Sequence, residues 1–434
     1  MSRSLADWLS YLEQLHPTAI DMGLQRVAQV AKRLGLARVA PRIVTVTGTN
    51  GKGSTCAFLA QLIASQGLKV GVYSSPHLLR YNERVRINGR EASDAELCEA
   101  FVAVEAARGE ISLTYFEMGT LAAFWLFERA ALDAVVLEGG LGGRLDAVNL
   151  QDADVAVVTG IALDHAEWLG NSRESVAVEK AGIFRAGKPA LCGDLNPPAP
   201  LLQRAAELGA PLYRRGQQYQ LNISGDGWRW QGLDAQGGTL RLDALPLLDL
   251  PMENAALALQ AYALLDLAWE PEAIVRALRA TRLSGRLERR TLQVNGKPLT
   301  LLLDVGHNPQ AAAFLAARLA ERPLPGKRLA VFGLLADKDL EGVIEPLLDC
   351  FSVWAVAPLP TPRSRSASQL QAALAAHGIE ATAYDSFAAA LDAQVAGADA
   401  GDEILVFGSF YCVADALQWL HRLELTGADH GFAG

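Results

Sequence analysis

The sequence predicts an α/β protein with two domains, of which the first has a mostly parallel sheet and the second is smaller. Three observations lead to this fold class. Nearly continuous apolar runs, typical of parallel strands covered on both faces, occur at residues 134–137 and 155–159 between helical segments. A β-branched run at residues 43–46 leads through a Gly-rich turn into a helix. A second series of alternating strands and helices begins near residue 301.

The domain limits follow from a change of pattern at Leu283-Ser284-Gly285-Arg286, which is typical of a linker. We expect a first domain over residues 1–283, a linker over 284–296, and a Rossmann-like α/β domain over 297–434. A chain of 434 residues is long enough for about two or three domains, each with its own core.

The other elements follow in chain order from periodicity and from turn residues. Residues 17–23 are expected to be a loop between two helices, and residues 80–89, which mix charges with turn residues, a solvated loop. The helix that carries Glu179 and Lys180 is expected to expose a charged face. The predicted elements are helices at 4–15, 22–34, 55–66, 93–108, 115–127, 172–181, 253–266 and 271–281, hairpins within 219–242, and strands at 69–73, 301–303, 329–332, 353–356 and 404–407.

Composition restricts the class of protein. A formal net charge of −9 argues against a nucleic-acid binder, because neutralising phosphates along a strand needs a basic surface. The five cysteines are widely spaced and include no C-x-x-C pair, which indicates small core residues in a reducing compartment. The sequence has no apolar signal core at its amino terminus and no apolar run of membrane-spanning length. We therefore expect a cytoplasmic protein without a membrane partner.

The stretch Val44 to Thr55 is typical of a phosphate-binding loop. Its glycines allow backbone N–H groups to approach an anion, the helix that follows adds positive potential, and Lys52 would meet the terminal phosphates. It departs from the strict P-loop pattern, because Val46 stands where the first Gly belongs and the hydroxyl after Lys52 comes one residue late, at Ser54. It is thus a variant P-loop, and an ordinary Gly-rich strand-to-helix turn is the alternative.

Polar residues follow three of the predicted strands. Ser75 follows the strand that ends at Tyr73. Glu138 directly follows the strand at 134–137, beside a second Gly-rich loop, and His165 lies just past the strand at 155–159. Ligands of open α/β sheets bind at the carboxyl ends of strands, and Mg²⁺ prefers hard oxygen ligands. We expect a metal site here, although a solvent-paired Glu and a structural His are the alternatives.

Together these motifs resemble the folate branch of the Mur ligases, namely the bacterial dihydrofolate synthase/folylpolyglutamate synthase family. The resemblance covers nearly the whole chain, from about Leu5 to Val413. Several motifs in the same order support the resemblance far more strongly than any single motif would. The most specific are residues 47–54, 73–78, 141–149, 163–165 with 179–183, and 304–309.

The resemblance implies an ATP site and a Mg²⁺ site, the latter with two ions. Ser75, Glu138 and His165 would ligate Mg²⁺, and Lys52, Lys180 and His165 would be catalytic. Lys180 matches the lysine that this family carbamylates, which would turn a cation into an anionic oxygen ligand; an unmodified surface lysine is the alternative. The implied ATP-binding residues are Thr49, Asn50, Gly51, Lys52, Asn254, Arg286 and Asp304.

The resemblance also implies a pterin pocket, which separates the folate enzymes from the cell-wall ligases. Phe116 and Tyr115 could pack on an aromatic ring system, and Glu117 or Asp146 could accept its amino hydrogens. His307 and Ser409 are candidates for binding L-glutamate. The residues expected to bind dihydropteroate are Asp21, Met22, Thr114, Tyr115, Phe116, Glu117, Leu145, Asp146 and Ala147.

The function implied is an ATP-dependent ligase of folate biosynthesis that acts as a monomer. It would add L-glutamate to dihydropteroate, giving dihydrofolate, and to tetrahydrofolate, giving polyglutamates, each through an acyl phosphate. Three alternatives remain: a synthase restricted to polyglutamylation, another Mur-type ligase, and a regulatory P-loop ATPase. A regulatory ATPase would hydrolyse ATP without a carboxylate acceptor, whereas a ligase needs both acceptor and amino acid.

Overall fold

The computed structural model describes residues 3–294 and 297–426. Its contacts divide the chain into two compact units, Met1–Arg282 and Leu283–Gly434. No helix in the described ranges is both long and apolar enough to cross a bilayer.

The described part of the first unit is built on an eight-stranded sheet in the order β4-β3-β2-β5-β1-β6-β7-β8. The strands from β2 to β8 in this order are parallel, and β3 and β4 add an antiparallel edge. This confirms the predicted mostly parallel sheet. The strands are β1 (Arg42–Thr47), β2 (Val70–Tyr73), β3 (Val85–Ile87), β4 (Arg90–Glu91), β5 (Ala134–Glu138), β6 (Val155–Val158), β7 (Ala190–Cys192) and β8 (Leu212–Arg214).

Helices cover this sheet, and the predicted hairpins form a separate three-stranded antiparallel sheet of β9 (Gln220–Ser224), β10 (Gly227–Leu233) and β11 (Thr239–Pro246). Ser93 and Thr114 begin two of the long helices as N-caps, each accepting a hydrogen bond from a backbone N–H of the first turn. The helices are α1 (Leu5–Leu12), α2 (Gln25–Leu34), α3 (Lys52–Ala64), α4 (Asp94–Arg108), α5 (Tyr115–Arg129), α6 (Ala166–Leu169), α7 (Arg173–Ala181), α8 (Ala199–Glu207), α9 (Met252–Ala263) and α10 (Pro271–Ala280).

The register of the central strands explains where polar residues can gather. Val46 of β1 pairs with Glu138 of β5, and Thr47 pairs with Val158 of β6. The carboxyl ends of these strands therefore lie side by side at one edge of the sheet. The strand interiors are mostly apolar and buried, as Val44 and Val136 illustrate, and the buried Thr45 is an exception, so the charged Glu138 stands at a strand end.

The expected solvated loop at residues 80–89 is wrong. Tyr81–Arg84 forms a short 3-10 turn and residues 85–87 form β3, which pairs with β2. Tyr81 and Asn82 are buried, and the Asn82 amide donates to the Ala92 carbonyl at 2.7 Å. In β3 the buried Val85 is followed by the exposed Arg86, as expected of a strand at a sheet edge with one solvent-exposed face.

The second unit contains a six-stranded sheet in the order β12-β13-β17-β14-β15-β16 among its described residues. All neighbours are parallel except β12, which runs antiparallel to β13. The elements are β12 (Glu288–Val294), β13 (Lys297–Leu303), α11 (Pro309–Ala320), β14 (Arg328–Phe332), α12 (Leu340–Ile344), β15 (Val353–Val356), α13 (Ala367–Ala376), β16 (Ala381–Ala383), α14 (Phe387–Gly397), β17 (Glu403–Phe407) and α15 (Phe410–Thr426).

The predicted linker over 284–296 is wrong for residues 288–294. They form an edge strand of the second unit and pair with β13 from Glu288 opposite Leu303 to Val294 opposite Lys297. An edge strand can expose one face, so the charged residues 288–290 are compatible with a strand.

Candidate active site

The phosphate loop connects β1 to α3, and hydrogen bonds to the segment after β6 hold it in place. Gly51 is left-handed, with φ +87°, and begins α3. The Thr49 hydroxyl donates to the Ala162 carbonyl at 2.9 Å, and the Thr159 hydroxyl donates to the Asn50 carbonyl at 2.6 Å. The structure therefore gives the loop a fixed shape, which phosphate binding by backbone N–H groups requires.

Lys52 lies over this loop. Its ammonium donates to the carbonyls of Gly48, at 3.0 Å, and Thr49, at 3.3 Å. These two hydrogen bonds hold the positive charge of Lys52 beside the loop.

Asn254, 200 residues farther along the chain, contacts the same loop. Its amide donates to the Ser54 hydroxyl at 2.7 Å. A Cβ added to Gly51 would come within 2.6 Å of the Asn254 amide oxygen, so a glycine is needed for this close approach. The structure thereby brings together five of the residues that the family resemblance implies for ATP binding, namely Thr49, Asn50, Gly51, Lys52 and Asn254.

Two of the predicted metal ligands adjoin each other. Glu138 is 5% exposed at the end of β5, and one of its oxygens accepts a hydrogen bond from the Ser75 N–H at 3.3 Å. A hydroxyl and a carboxylate are hard oxygen donors, so this pair fits Mg²⁺. His165 is exposed, begins α6 and lies 3.8 Å from the Asp164 carboxylate. Within the described ranges, no three His, Cys, Asp or Glu side chains form a metal cluster.

Lys180 corrects the expectation of an exposed charged face on α7, because it is only 3% exposed. Burial, with repulsion from Lys52 as a smaller cause, lowers the pKa of its ammonium to about 7. A substantial fraction of Lys180 is therefore a neutral amine at pH 7, which is the nucleophilic form.

The second Gly-rich loop is organised by Asp146. Its two carboxylate oxygens accept hydrogen bonds from the backbone N–H groups of Leu141, at 2.8 Å, and Val148, at 3.0 Å. Burial raises the pKa of Asp146 to about 6 although these hydrogen bonds oppose the shift. Leu145 and Ala147 flank it in sequence. Met22 lies against the same loop, since a Cβ on Gly142 would be 3.4 Å from the Met22 methyl.

Arg26 links two segments of the predicted pterin pocket and was not identified from the sequence. Its guanidinium lies 2.7 Å from the Asp21 carboxylate and 3.0 Å from that of Glu117. The other Glu117 oxygen accepts from the Thr114 N–H at 2.8 Å. Glu117 is therefore a helix cap and an ion-pair partner. The link joins residues 91 positions apart, so no local pattern could have revealed it.

Aromatic residues line the start of α5. Phe116 packs on Tyr73, with ring centroids 5.8 Å apart, and Tyr115 meets Tyr81 edge-on at 5.7 Å. A Cβ on Gly140 would be 2.9 Å from the Phe116 ring, so the second Gly-rich loop runs directly beside it. The structure thus joins Phe116 to the Asp146 loop.

The remaining predicted residues gather in the second unit, at the carboxyl ends of β13 and β17. Asp304 accepts from the N–H groups of Leu287, at 2.9 Å, and Gly306, at 2.7 Å, and burial raises its pKa while Arg286 opposes that shift. The Arg286 guanidinium lies 5.1 Å from the Phe410 ring, which also contacts His307. Ser409 is buried next to Phe410. No role was predicted for Phe410 from the sequence.

Comparisons with known proteins identify the two domains and the family of this chain. Residues 46–196 match the Mur ligase middle domain, and residues 285–410 match the Mur ligase, glutamate ligase domain. The chain is 47% identical over 414 residues to the dihydrofolate synthase/folylpolyglutamate synthase of Escherichia coli K12, covering 95% of each chain.

Solved structures of relatives also resemble this chain over nearly its whole length. Escherichia coli FolC in complex with DHPP and ADP has a TM-score of 0.91 at 46% identity, over 98% of this chain and 99% of that one. A bifunctional folylpolyglutamate synthase/dihydrofolate synthase with Mn, AMPPNP and L-glutamate has a TM-score of 0.88 at 48% identity, over 97% and 98%. With its phosphate loop, strand-end carboxylate and two matched domains, the chain belongs to the dihydrofolate synthase/folylpolyglutamate synthase family of Mur ligases.

Proposed function

We propose that this enzyme adds L-glutamate to dihydropteroate, giving dihydrofolate, and to tetrahydrofolate, giving polyglutamates, at the expense of ATP. The observation that carries the proposal is a set of contacts within the first unit. Asn254 contacts Ser54 just after the phosphate loop, Glu138 contacts the Ser75 segment, and the second Gly-rich loop runs beside Phe116. Complexes of relatives with ADP and DHPP, and with AMPPNP and L-glutamate, support the same substrates.

The chemistry requires activation, because a carboxylate attacked by an amine would have to expel oxide. The substrate carboxylate attacks the γ-phosphorus of ATP, the bond to the bridging oxygen breaks, and ADP leaves as an acyl phosphate forms. The amine of L-glutamate then attacks the acyl carbon, and the amide forms as phosphate leaves and the amine loses a proton. Lys52 and the N–H groups around Gly51 offset the charge that develops on the transferred phosphoryl group. Positioning and electrostatics thus supply most of the catalysis.

Ser75, Glu138 and His165 remain our proposed ligands for Mg²⁺, with two ions in the complete site. Bound Mg²⁺ neutralises phosphate charge, and relatives crystallised with Mn agree with a divalent metal. The hydroxyl of Ser75 and the carboxylate of Glu138 suit that ion because both are hard donors. A cytoplasmic monomer stays our expectation for the assembly.

Lys180 is proposed to carry a carbamate. Its burial and a pKa of about 7 leave much of the amine neutral, and only the neutral amine attacks carbon dioxide. Protein equilibrated with ¹³C-bicarbonate should show one carbamate carbon resonance that is lost in Lys180→Met and kept in the exposed-site variant Lys69→Met. A spectrum without that resonance would refute the modification.

Asp21, Met22, residues 114–117 and residues 145–147 are proposed to bind the pterin, and His307 with Ser409 to bind L-glutamate. Arg286 and Asp304 are proposed nucleotide contacts from the second unit. The aromatic rings of Tyr115 and Phe116 supply apolar faces for a pterin, and the nearby carboxylates supply acceptors for its amino group.

The decisive experiment measures phosphate release from Mg-ATP in the presence of L-glutamate, on adding dihydropteroate or, separately, tetrahydrofolate. Stimulation by both substrates, with the amide products found by mass spectrometry, is expected. Stimulation by tetrahydrofolate alone would indicate a polyglutamylating enzyme and refute the pterin pocket. Stimulation by neither, or phosphate release without any acceptor, would favour another Mur-type ligase or a regulatory ATPase.

A further inference from the structure

Arg84 lies at the edge of the sheet where the proposed site is built. It directly precedes β3, and its carbonyl accepts a hydrogen bond from the Ser74 N–H at 2.9 Å. Since Tyr73 of β2 pairs with Val85 of β3, Arg84 adjoins the segment that carries Ser75. The same β2 pairs with β5, which ends in Glu138. Arg84 is therefore part of the carboxyl edge of the sheet and not of a distant surface loop.

The side chain of Arg84 is held in an aromatic setting. Its guanidinium carbon lies 5.4 Å from the Tyr81 ring and 5.5 Å from the Tyr115 ring, and its Nε donates to Nδ1 of His77 at 2.8 Å. Tyr81 is itself fixed by α5, because Gly119 leaves room for its hydroxyl: a Cβ there would be 2.2 Å from that oxygen. The position of the guanidinium is thus set by packing.

This guanidinium has no anionic partner within the described ranges 3–294 and 297–426. Among the residues that the structure describes, Arg84 makes no ion pair, and His77 is the sole acceptor for its side chain. The neighbouring arginines differ, since Arg80, Arg86 and Arg90 each pair with a carboxylate within 3.2 Å. A partly buried charge is costly unless it is paired, and the two terminal nitrogens of a guanidinium match the two oxygens of a carboxylate. The arrangement is that of a receptor for a carboxylate ligand.

We propose that Arg84 binds the carboxylate of the terminal glutamyl residue that is not activated during the reaction. The inference rests on the proposed function. Arg84 contacts Tyr115 of the proposed pterin pocket and adjoins Ser75 of the proposed metal site, so it lies along a substrate that spans both. Dihydropteroate has one carboxylate, which reacts. Tetrahydrofolate has two on its glutamyl residue, so one remains free after the other is activated. Arg84 is then a specificity determinant for the tetrahydrofolate reaction.

The test compares KM for the two acceptors in Arg84→Gln, Arg84→Lys and the control Arg86→Gln. Loss of a charge-assisted, two-point contact should raise KM for tetrahydrofolate by about 10- to 100-fold in Arg84→Gln, while KM for dihydropteroate changes by less than about threefold. Arg84→Lys keeps the charge without the fork and should fall between wild type and Arg84→Gln. Arg86 pairs with Glu91 at 3.0 Å on the exposed side of β3, so its variant should resemble wild type for both acceptors.

The outcomes separate the inference from the function on which it rests. An equal rise in both KM values, or no rise in either, would overturn the role of Arg84 while the ligase function stands. Wild-type protein that is inactive with both acceptors would remove the function, and the inference with it. If Arg84→Gln does not fold by circular dichroism, Arg84→Lys decides the matter. An unselective effect in that variant would overturn the proposal.

Discussion

Replacing Lys180 by methionine should remove a pH-dependent cost from the folded state. Burial lowers the pKa of the Lys180 ammonium from 10.5 to about 7, so the unfolded chain binds the proton more tightly than the folded one. A depressed pKa of a base makes stability rise with pH between the folded and unfolded values. At pH 7 the penalty is about 4 kcal/mol, and by pH 9 it falls to about 2 kcal/mol. Methionine has a similar length and no charge, so Lys180→Met should lack this change.

The assay is urea unfolding of wild type and Lys180→Met at pH 7 and pH 9, in buffer free of carbon dioxide so that no carbamate forms. The difference in unfolding free energy between the two proteins should shrink by about 2 kcal/mol from pH 7 to pH 9. Comparing differences cancels the titration of the groups that Lys180 does not influence. Lys69→Met, at an exposed position, should follow wild type at both pH values. An equal difference at the two pH values would refute a neutralised, buried Lys180.

Three further substitutions test the loops of the site. Gly48→Ala should lower ATP affinity by more than about tenfold, because its Cβ would be 1.8 Å from the Thr159 hydroxyl and the loop must move; nucleotide titration measures this. Arg26→Met should raise KM for dihydropteroate more than KM for ATP, because it frees Glu117; equal effects would contradict a local role. Wild type should lose about 2 kcal/mol between pH 4 and pH 7 relative to Asp146→Asn, because a raised carboxyl pKa gives stability that is lost as pH rises through about 6. Unfolding at the two pH values checks it.

The parallel core was predictable because its chemistry is local. Strands buried on both faces must be apolar throughout, so the runs at 134–138 and 155–158 identify themselves. The phosphate loop was equally predictable. Its backbone geometry requires glycines, and the charge of a phosphate ligand requires a cation such as Lys52. Asn254 came only from the family resemblance, because nothing near it in sequence indicates its contact with Ser54.

The edges of both sheets and the burial of Lys180 were not predictable for a physical reason. An edge strand such as 288–294 can carry charges on its open face, which makes it resemble a linker in composition. Helical periodicity fixes which residues share a face but not what that face meets, and a Lys on α7 was therefore assigned to solvent. The ion pair between Arg26 and Glu117 likewise depends on two helices meeting.

Three carboxylates that the sequence singled out as ligand contacts have a second role. Glu117, Asp146 and Asp304 each use both oxygens to accept hydrogen bonds within 3.0 Å from neighbouring loops or from Arg26. Replacing such a carboxylate by its amide turns one acceptor into a donor that faces an N–H or a guanidinium, so the loop must rearrange. Weaker binding in those variants would then reflect a misplaced loop as much as a lost contact. Arg84 forms no such ion pair with any residue that the structure describes. Its substitution therefore reports on ligand binding more directly than substitution of these acids does.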